Sequence, residues 1–261
     1  MNAEAHAPGA TTARPPGFSV LSYNIQGHGA LFSKFYLGGI ARAIRQAAPD
    51  VVGLQEVHRG TWAARFRDQV EDLALATGMK AFFGRSLTHR TGEYGNAVLT
   101  RGRVVEEEIT PLPGEAERRS LFRCRVDLSH HEIEFYVTHL AAWGPLTRNI
   151  RRRQAAFVAD RLREAKAPFI LVGDLNAHPG ASELGPLVGS SDVRVCGERD
   201  VPTHRVMRQR LDYILADPSL RSVENQVLRV GPSDHFPIVA RFSGLHQPAS
   251  GVPSRVVAGA R

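Results

Sequence analysis

Short apolar runs of strand length alternate along this chain with helical segments, and this alternation limits the possible folds more than any other feature. Residues 51–57 (VVGLQEV) and 168–174 (PFILVGD) are nearly continuous in apolar residues, as is typical of strands covered on both faces. Helical patterns occupy 37–48 and 149–164, between such runs. The alternation predicts an α/β protein whose helices pack on its sheets.

The other periodic segments complete the predicted order of elements. A third helix is predicted at 62–76, ended by Gly78. We predict further strands at 18–23, 81–83, 97–99, 121–128, 133–139, 211–215, 223–230 and 237–242.

The chain shows no internal repeat and no long linker, so we expect one domain over residues 18–243. Residues 1–17 are rich in Ala, Thr, Pro and Gly and are predicted to be a disordered lead-in. Residues 244–261 are small and polar with scattered valines, and we predict a flexible tail there.

Composition and cysteine content favour a cytoplasmic protein. Hydrophobic residues make up 43% of the chain, enough for a sizeable core. No apolar run approaches the roughly 18–20 residues that cross a membrane, and residues 1–17 lack the pattern of a secretory signal. The two cysteines, Cys124 and Cys196, are far apart and outside any CxxC pair. We therefore expect reduced thiols rather than a zinc site or a disulfide framework.

The net charge of +7 and the pI of about 10 favour an anionic partner. Nucleic acid, phosphorylated small molecules and anionic lipid all fit such a charge. An arginine-rich composition gives the same charge without any polyanionic partner. The charge alone therefore leaves these interpretations open.

Polar side chains that can take part in chemistry stand at the ends of several predicted strands. In α/β folds, strand ends and the loops after them carry the chemistry. A buried, unpaired carboxylate is costly and needs a cation, a hydrogen-bond donor or a raised pKa. At any single position a structural ion pair or a turn cap is the simpler interpretation. The prediction of an active site therefore depends on several such residues occurring together. The positions are Asn24, Glu56, His139, Asp174, Asp212 and Asp234.

Seven short segments match, in order, those of a known family. They are 22–25 (SYNI), 54–57 (LQEV), 95–101 (GNAVLTR), 138–140 (THL), 173–176 (GDLN), 210–214 (RLDYI) and 233–237 (SDHFP). With them the chain resembles the endonuclease/exonuclease/phosphatase superfamily, which includes deoxyribonuclease I, abasic-site endonucleases, neutral sphingomyelinases and inositol polyphosphate 5-phosphatases. The resemblance implies the deoxyribonuclease I-like fold, a four-layer α/β sandwich of two packed mixed β-sheets flanked by helices.

The resemblance also implies a metal site. Glu56 corresponds to the principal Mg²⁺ ligand, with Asn24 and Asp234 nearby in the metal shell. Oxygen ligands of this kind suit Mg²⁺, which keeps several waters and takes only one or two carboxylates. We expect Mg²⁺ as the cofactor, with Mn²⁺ as a substitute.

Five further residues receive catalytic roles from the resemblance. Asp174 corresponds to the residue that orients or deprotonates the attacking water, and Asn176 to an amide that donates to the phosphate. His235 corresponds to a phosphate-contacting imidazole oriented by Asp212, and His139 to a second phosphate-facing histidine and proton donor. The chain has no evident Ser or Cys nucleophile motif, so we predict direct attack by water.

Two residues outside this set are candidates for substrate contact. Asn96 precedes a buried strand, where a bond to the histidine or the phosphate and a structural role at the strand start are equally compatible with the sequence. His204 lies on the segment leading to Asp212, which brings it toward the site. His28, in the loop after Asn24, is interpreted as a loop histidine without a role.

Arg151 is a third candidate for substrate contact. At about 100° per residue, Arg151 and Gln154 fall on or beside the apolar face of their helix, whereas Arg152 and Arg153 point to solvent. We hypothesise that Arg151 and Gln154 reach toward the loop after His139. Packing of the arginine stem on the apolar face is the alternative.

Differences between this sequence and individual branches of the family argue against two of the possible functions. Abasic-site endonucleases carry an acidic residue at the position of Gln26 and a tyrosine at that of His139, and residues 210–213 lack the inositol phosphatase signature. The leading hypothesis is a Mg²⁺-dependent phosphodiesterase acting on DNA, RNA or a similar diester. The alternative is a hydrolase of phospholipid headgroups or phosphorylated small molecules. A catalytically silent binding protein is disfavoured, because every expected catalytic side-chain type is present.

Overall fold

The structure, a computed structural model, describes residues 17–114, 117–128, 131–142 and 144–243. The predicted lead-in, apart from Gly17, and the predicted tail at 244–261 lie outside these residues. The elements are β1 (Gly17–Asn24), α1 (Tyr36–Ala47), β2 (Val51–Arg59), α2 (Gln69–Thr77), β3 (Lys80–His89), β4 (Gly92–Thr100), β5 (Arg103–Pro111), β6 (Ser120–Asp127), β7 (Glu132–His139), α3 (Arg148–Arg163), β8 (Phe169–Asp174), α4 (Gly185–Val188), β9 (Arg194–Val195), β10 (Asp212–Ala216), β11 (Ser222–Val227) and β12 (Ile238–Ser243). Short 3-10 helices lie at Gly27–Leu31, Trp62–Ala64 and Ser182–Leu184.

The strands form two mixed six-stranded sheets. The first has the order β11-β12-β1-β2-β4-β3 and the second β5-β6-β7-β8-β10-β9. In each sheet one central pair is parallel, β1 with β2 and β7 with β8, because a helix connects its two strands. The remaining pairs are antiparallel. This architecture confirms the predicted α/β sandwich of two packed mixed sheets.

Apolar side chains fill three buried layers between these elements. Residues such as Val20, Phe135 and Val172 form the core between the two sheets. Ile40 and Ile44 of α1 pack on the outer face of the first sheet, and Val158 and Leu162 of α3 pack on the second. These three layers separate the four layers of secondary structure. In the described part of the chain, no helix has the length and apolarity required to span a bilayer.

The predicted helix at 62–76 is wrong in its first half. Trp62–Ala64 is a 3-10 turn, and Arg65 and Phe66 that follow have left-handed backbone angles. The α-helix starts only after Asp68, whose carboxylate accepts hydrogen bonds from the backbone N–H groups of Val70 and Glu71. The spacing of apolar residues does not reveal this break, because the start of α2 is set by the Asp68 cap.

Strand β5 is absent from the predicted elements. Residues 103–111 are mostly exposed and carry three consecutive glutamates, 106–108, which do not alternate with apolar residues. The strand forms at the edge of its sheet, where pairing with β6 and salt bridges from Arg123 and Arg125 to Glu106 hold it. Strand β5 is therefore stabilised by its pairing and salt bridges with β6, and its own sequence shows no pattern of alternating apolar residues.

Candidate active site

The ends of four central strands meet at one edge of the two packed sheets. Asn24 ends β1 and pairs with Gln55 of β2, next to Glu56. In the second sheet His139 and Asp174 end β7 and β8 in register, and Asp212, which begins β10, pairs with Asp174. Parallel pairing brings the carboxyl ends of neighbouring strands together, so residues far apart in the sequence face one opening.

Two of the predicted site residues have strained backbones. Glu56 has φ 60° where the register of β2 with β4 shifts between Leu54 and Val57, and Asn176 has φ 51° just after β8. Left-handed angles are uncommon for residues other than glycine and cluster at functional sites. The bulge in β2 redirects the Glu56 side chain. Its carboxylate then accepts a hydrogen bond from Nδ2 of Asn24 at 3.0 Å.

The opening holds the carboxylates of Glu56, Asp174 and Asp234, and each accepts a hydrogen bond from a side-chain amide. Nδ2 of Asn24 donates to Oε1 of Glu56 and to Oδ2 of Asp174, each at 3.0 Å. Nε2 of Gln26 donates to Oδ2 of Asp234 at 2.8 Å. In the described residues, the three carboxylates form salt bridges only with histidines and with no Arg or Lys side chain.

This donor set fits a hard divalent cation. Carboxylate and amide oxygens without a basic partner are the ligands that Mg²⁺ and Mn²⁺ prefer. The buried Oδ1 of Asp212 also has no hydrogen-bond partner among the described residues. Among the described residues, two groups of His and carboxylate side chains come close enough together to hold an ion, one of His204, Asp234 and His235 and one of Asp174, Asp212 and His235. Of the predicted ligands, Asp234 belongs to the first group and Glu56 to neither.

Two histidines converge on the Asp174 carboxylate. Nε2 of His139 lies 3.5 Å from Oδ2 of Asp174, and Nε2 of His235 lies 3.6 Å from the same oxygen. The backbone N–H of Asn176 donates to the other oxygen, Oδ1, at 2.9 Å. Nδ1 of His235 lies 2.8 Å from Oδ2 of Asp212. Four of the five predicted catalytic residues thus surround Asp174.

Burial and charge set the protonation of this cluster in opposite directions. Burial raises the pKa of Asp174 to about 7, although His235 opposes the shift. Burial acts to lower the pKa of His235, but the carboxylates of Asp212 and Asp174 outweigh it and raise that pKa to about 10. At neutral pH His235 is therefore an imidazolium, and Asp174 titrates close to that pH.

His139 is held neutral by a residue that the sequence analysis missed. Arg119 is buried, and its Nη1 lies 2.7 Å from Nδ1 of His139 and 3.3 Å from the Tyr94 hydroxyl. Burial, followed by the charge of Arg119, lowers the pKa of His139 well below its ordinary value. Because a guanidinium only donates, Nδ1 of His139 accepts from Arg119, while Nε2 faces Asp174 and lies 2.9 Å from the amide nitrogen of Asn176.

We expect Arg119→Met to raise the pKa of His139, because the substitution removes the positive charge beside the ring. Methionine keeps a side chain of similar length. Nuclear magnetic resonance of ¹⁵N-labelled histidine rings measures this directly, without turnover. The wild-type ring should show the Nε2–H tautomer and stay neutral where an ordinary histidine titrates, near about pH 6.5. An unchanged tautomer and pKa in the variant would contradict the assignment, and Arg118→Met is the matched control.

His204 reaches the site through a short backbone connection. His204 and His235 form an isolated β-bridge, and their rings pack edge to face with centroids 4.6 Å apart. Nε2 of His204 lies 3.6 Å from Oδ2 of Asp234. His204 lines the opening together with Asp234 and His235, and its substrate contact stays a prediction.

Asn96 and Arg151 are not among the described residues that line the opening. Nδ2 of Asn96 donates to the carbonyl of Ser120, which ties β4 to β6. Arg151 does reach the loop after His139, where it donates to the carbonyl of Ala142 at 2.7 Å, and it pairs with Glu183 at 3.0 Å. Both side chains are buried and bonded within the fold, a position that favours support of the loops over substrate contact.

We expect Arg151→Met to lower the free energy of unfolding by about 2 kcal/mol, since it leaves the buried Glu183 carboxylate with only the exposed Arg148. Denaturant unfolding measures the change. Arg152 is exposed on the same helix, so Arg152→Met should change stability by less than about 0.5 kcal/mol. A raised KM at unchanged stability in Arg151→Met would instead indicate substrate contact.

His28, His58 and Tyr94 are among the further residues that line the opening and were not assigned to it from the sequence. His28 lies 3.9 Å from Glu56, and His58 and Tyr94 stand on β2 and β4. Burial and the neighbouring histidines lower the pKa of His58 to about 4. Sequence position could have indicated His28 and His58, which each follow a predicted metal ligand closely. Nothing in the local sequence around Tyr94 or Arg119 signals a role.

Comparisons with known proteins identify the family. Residues 21–235 match the model of the Endonuclease/Exonuclease/phosphatase family. An uncharacterized protein, YbhP of Escherichia coli strain K12, is 29% identical over an alignment that covers 61% of this chain and 66% of YbhP. The aligned part of the chain thus spans slightly less than two thirds of that relative.

Several solved structures share the fold. An endonuclease/exonuclease/phosphatase from Beutenbergia cavernae is 24% identical, with a TM-score of 0.73 over 88% of this chain and 72% of that one. The mannosyl-6-phosphatase Bt3783 of Bacteroides thetaiotaomicron has 20% identity and a TM-score of 0.71 over 87% of this chain and 100% of its own. D. rerio TDP2 complexed with a single-strand DNA product has 20% identity and a TM-score of 0.72, covering 87% and 99%. With the family model spanning most of the chain, this protein belongs to the endonuclease/exonuclease/phosphatase family of phosphoester hydrolases.

Proposed function

We propose that this protein is a divalent-metal-dependent phosphodiesterase that hydrolyses its substrate by direct attack of water. The convergence of His139 and His235 on one oxygen of the Asp174 carboxylate carries this proposal. It places a base and two imidazole donors around a space that also borders the carboxylates of Glu56 and Asp234. The opening forms a cleft of about 480 Å³.

Asp174 acts as the general base. A base works best when its pKa is near the operating pH, and burial raises that of Asp174 to about 7. The Asn24 amide and the Asn176 backbone N–H hold the two carboxylate oxygens in place. The carboxylate accepts the proton of the attacking water while its orientation stays constant.

The charge that develops on the phosphate is stabilised by His235, Asn176 and His139. His235 is an imidazolium at neutral pH because Asp212 and Asp174 flank it, and it places positive charge beside the phosphate oxygens. Neutral His139 donates a hydrogen bond from Nε2 and holds its proton too firmly to act as a full acid. Nδ2 of Asn176, 2.9 Å from that ring nitrogen, is the amide donor to the phosphate.

Glu56, Asn24 and Asp234 would hold the metal ion, Mg²⁺ or Mn²⁺. When bound, the ion supplies Lewis-acid stabilisation of the phosphate oxygens. Gln26 fixes Asp234 through its amide, and Ser233 fixes the adjoining backbone by donating to the carbonyl of Asn24 at 2.7 Å. These contacts hold the ligand groups of two distant segments at a constant separation.

A panel of substrates with Mg²⁺ or Mn²⁺ tests the proposed function. It includes bis-p-nitrophenyl phosphate, plasmid DNA, RNA, sphingomyelin and inositol phosphates. We expect metal-dependent hydrolysis of the generic diester that a chelator abolishes. Structural neighbours named for a sugar phosphate and for DNA share this fold, so the fold does not choose the natural substrate. Absence of turnover with either metal across the panel would refute the proposal, and turnover of monoesters alone would favour a phosphatase.

A further inference from the structure

Six of the eleven exposed large apolar side chains in the described residues lie on loops and turns that adjoin the residues of the opening, and we call these six the apolar rim. The other five lie on α2 and on the edge strands β5, β9 and β11. Single exposed apolar residues are normal on any surface, but a concentration around one opening indicates an interaction site. The rim consists of Phe32, Phe35, Trp62, Phe66, Leu146 and Val206.

The aromatic side of the rim follows directly from residues that line the opening. The 3-10 helix that contains His28 leads into Phe32, which is 80% exposed. The Thr61 hydroxyl lies 2.9 Å from Nδ1 of His58, and the Thr61 carbonyl accepts the backbone N–H of Phe66 at 2.8 Å. Phe32 and Phe66 therefore lie on loops that adjoin residues of the opening, and Trp62 directly follows Thr61 on the second of these loops.

The aliphatic side of the rim lies across the opening, on loops that follow His139 and His204. Leu146, 93% exposed, precedes Thr147, whose hydroxyl donates to the carbonyl of Ala142, a residue of the opening. The backbone N–H of Val206 donates to Nδ1 of His204 at 3.2 Å. Loops from both sheets thus place apolar side chains around the same cleft.

The aromatic loops are held in place rather than left loose. Arg65 and Phe66 are successive non-glycine residues with φ 53° and 61°, a conformation that costs about 1 kcal/mol or more per residue. The Arg65 backbone N–H donates to the Trp62 carbonyl at 2.9 Å, and its Nη2 donates to the Leu31 carbonyl at 2.8 Å, which joins the two loops. The fold maintains this strain while Trp62 and Phe66 remain in solvent.

Basic side chains stand among the rim residues without acidic partners. Lys34 lies over the Phe35 ring at 5.1 Å, and Arg65 donates to a backbone carbonyl. In the described residues, none of these basic side chains forms a salt bridge with a carboxylate, although nearby Arg59, Arg67 and Arg85 do. They are Lys34, Arg65, Arg90, Arg205 and Arg208, all exposed.

We propose that the apolar rim and its unpaired cations seat the opening on the surface of an anionic phospholipid bilayer. Aromatic side chains enter the interface between headgroups and acyl chains, while basic side chains attract anionic headgroups. Single-stranded nucleic acid uses aromatic and basic side chains as well, but Leu146 and Val206 have no ring on which a base could stack. A consequence is that a headgroup phosphoester would face His139 and His235. That consequence rests on the proposed function, whereas bilayer binding does not.

Sedimentation of the full chain with phosphatidylcholine vesicles, with or without phosphatidylglycerol, tests the proposal. We expect binding only to the anionic vesicles, weakened by salt. The triple variant Phe32→Ser, Trp62→Ser and Phe66→Asn should bind at least about tenfold more weakly, with unchanged hydrolysis of the soluble diester. Asn suits the left-handed backbone at position 66. Val223→Ser, at the far end of the first sheet, is the control and should bind as the wild type does.

Three results would overturn this proposal: no preference for anionic vesicles, equal binding by the triple variant, or loss of single-strand oligonucleotide binding in that variant without any vesicle binding. The last result would assign the rim to nucleic acid. Vesicle binding in the absence of any phosphoester turnover would support the rim as a bilayer surface while refuting the proposed function.

Discussion

Asp174→Asn is expected to lower kcat for bis-p-nitrophenyl phosphate by about 10³-fold, because it removes the base that accepts the proton of water. The side chain keeps its shape, so the substrate should still bind with little change in KM. Steady-state kinetics at saturating Mg²⁺ measures both constants. Asp160→Asn, on the exposed side of α3, is the matched control and should leave kcat unchanged.

Stability separates this catalytic role from a structural one. The pKa of Asp174 in the fold, about 7, is above the ordinary 3.8, so its ionisation opposes folding. The favourable contribution is complete below the ordinary pKa and is lost as the pH rises through about 7. Without added metal, Asp174→Asn should therefore match or exceed the wild-type melting temperature above pH 7. An inactive variant that melts well below the wild type would point to a structural residue instead.

Glu56→Gln is expected to raise the Mg²⁺ concentration for half-maximal activity by about 100-fold. A neutral amide keeps one oxygen but loses the charge that attracts a divalent cation. Activity should return partly at high Mg²⁺ or with Mn²⁺, because the other ligand groups remain. Metal titrations of hydrolysis give the shift.

A measurement without turnover checks the same residue. A metal ion that binds only the folded protein raises its melting temperature, so the wild type should gain stability with increasing Mg²⁺. Glu56→Gln should need far more Mg²⁺ for the same gain. Glu107→Gln, on the exposed edge strand β5, is the control and should behave as the wild type. Equal metal-induced stabilisation of Glu56→Gln and wild type would rule out Glu56 as a ligand.

The periodicity of the sequence predicted the fold class correctly, and the errors share one cause. The buried strands β2 and β8 and the helix α3 are visible because burial on defined faces requires a regular apolar pattern. Strand β5 is mostly exposed and the turn at Trp62–Ala64 buries only Ala64, so packing leaves no regular apolar pattern in either segment. Their conformations depend on a partner strand and on the capping of Thr61 and Asp68.

The candidate site was predictable where its residues end buried strands. Asn24, His139 and Asp174 end β1, β7 and β8, and Glu56 follows the apolar run of β2 at its bulge. The structure places Glu56, His139 and Asp174 at one opening, with Asn24 bonded to Glu56 and Asp174. The apolar rim was not predictable, because the local sequence of a loop does not show whether its phenylalanine side chains are buried or exposed.

By itself, the sequence determined the α/β class, the family resemblance and the kinds of side chain available for phosphoester chemistry, because these depend on local pattern and residue type. Only the tertiary structure decided that Nδ1 of His139 faces Arg119, that Arg151 pairs with Glu183, and which apolar side chains stay in solvent. The physical reason is that charge and burial act between neighbours in space. Arg119 and His139 are 20 positions apart in the chain and 2.7 Å apart in the fold, and burial together with that proximity lowers the pKa of His139.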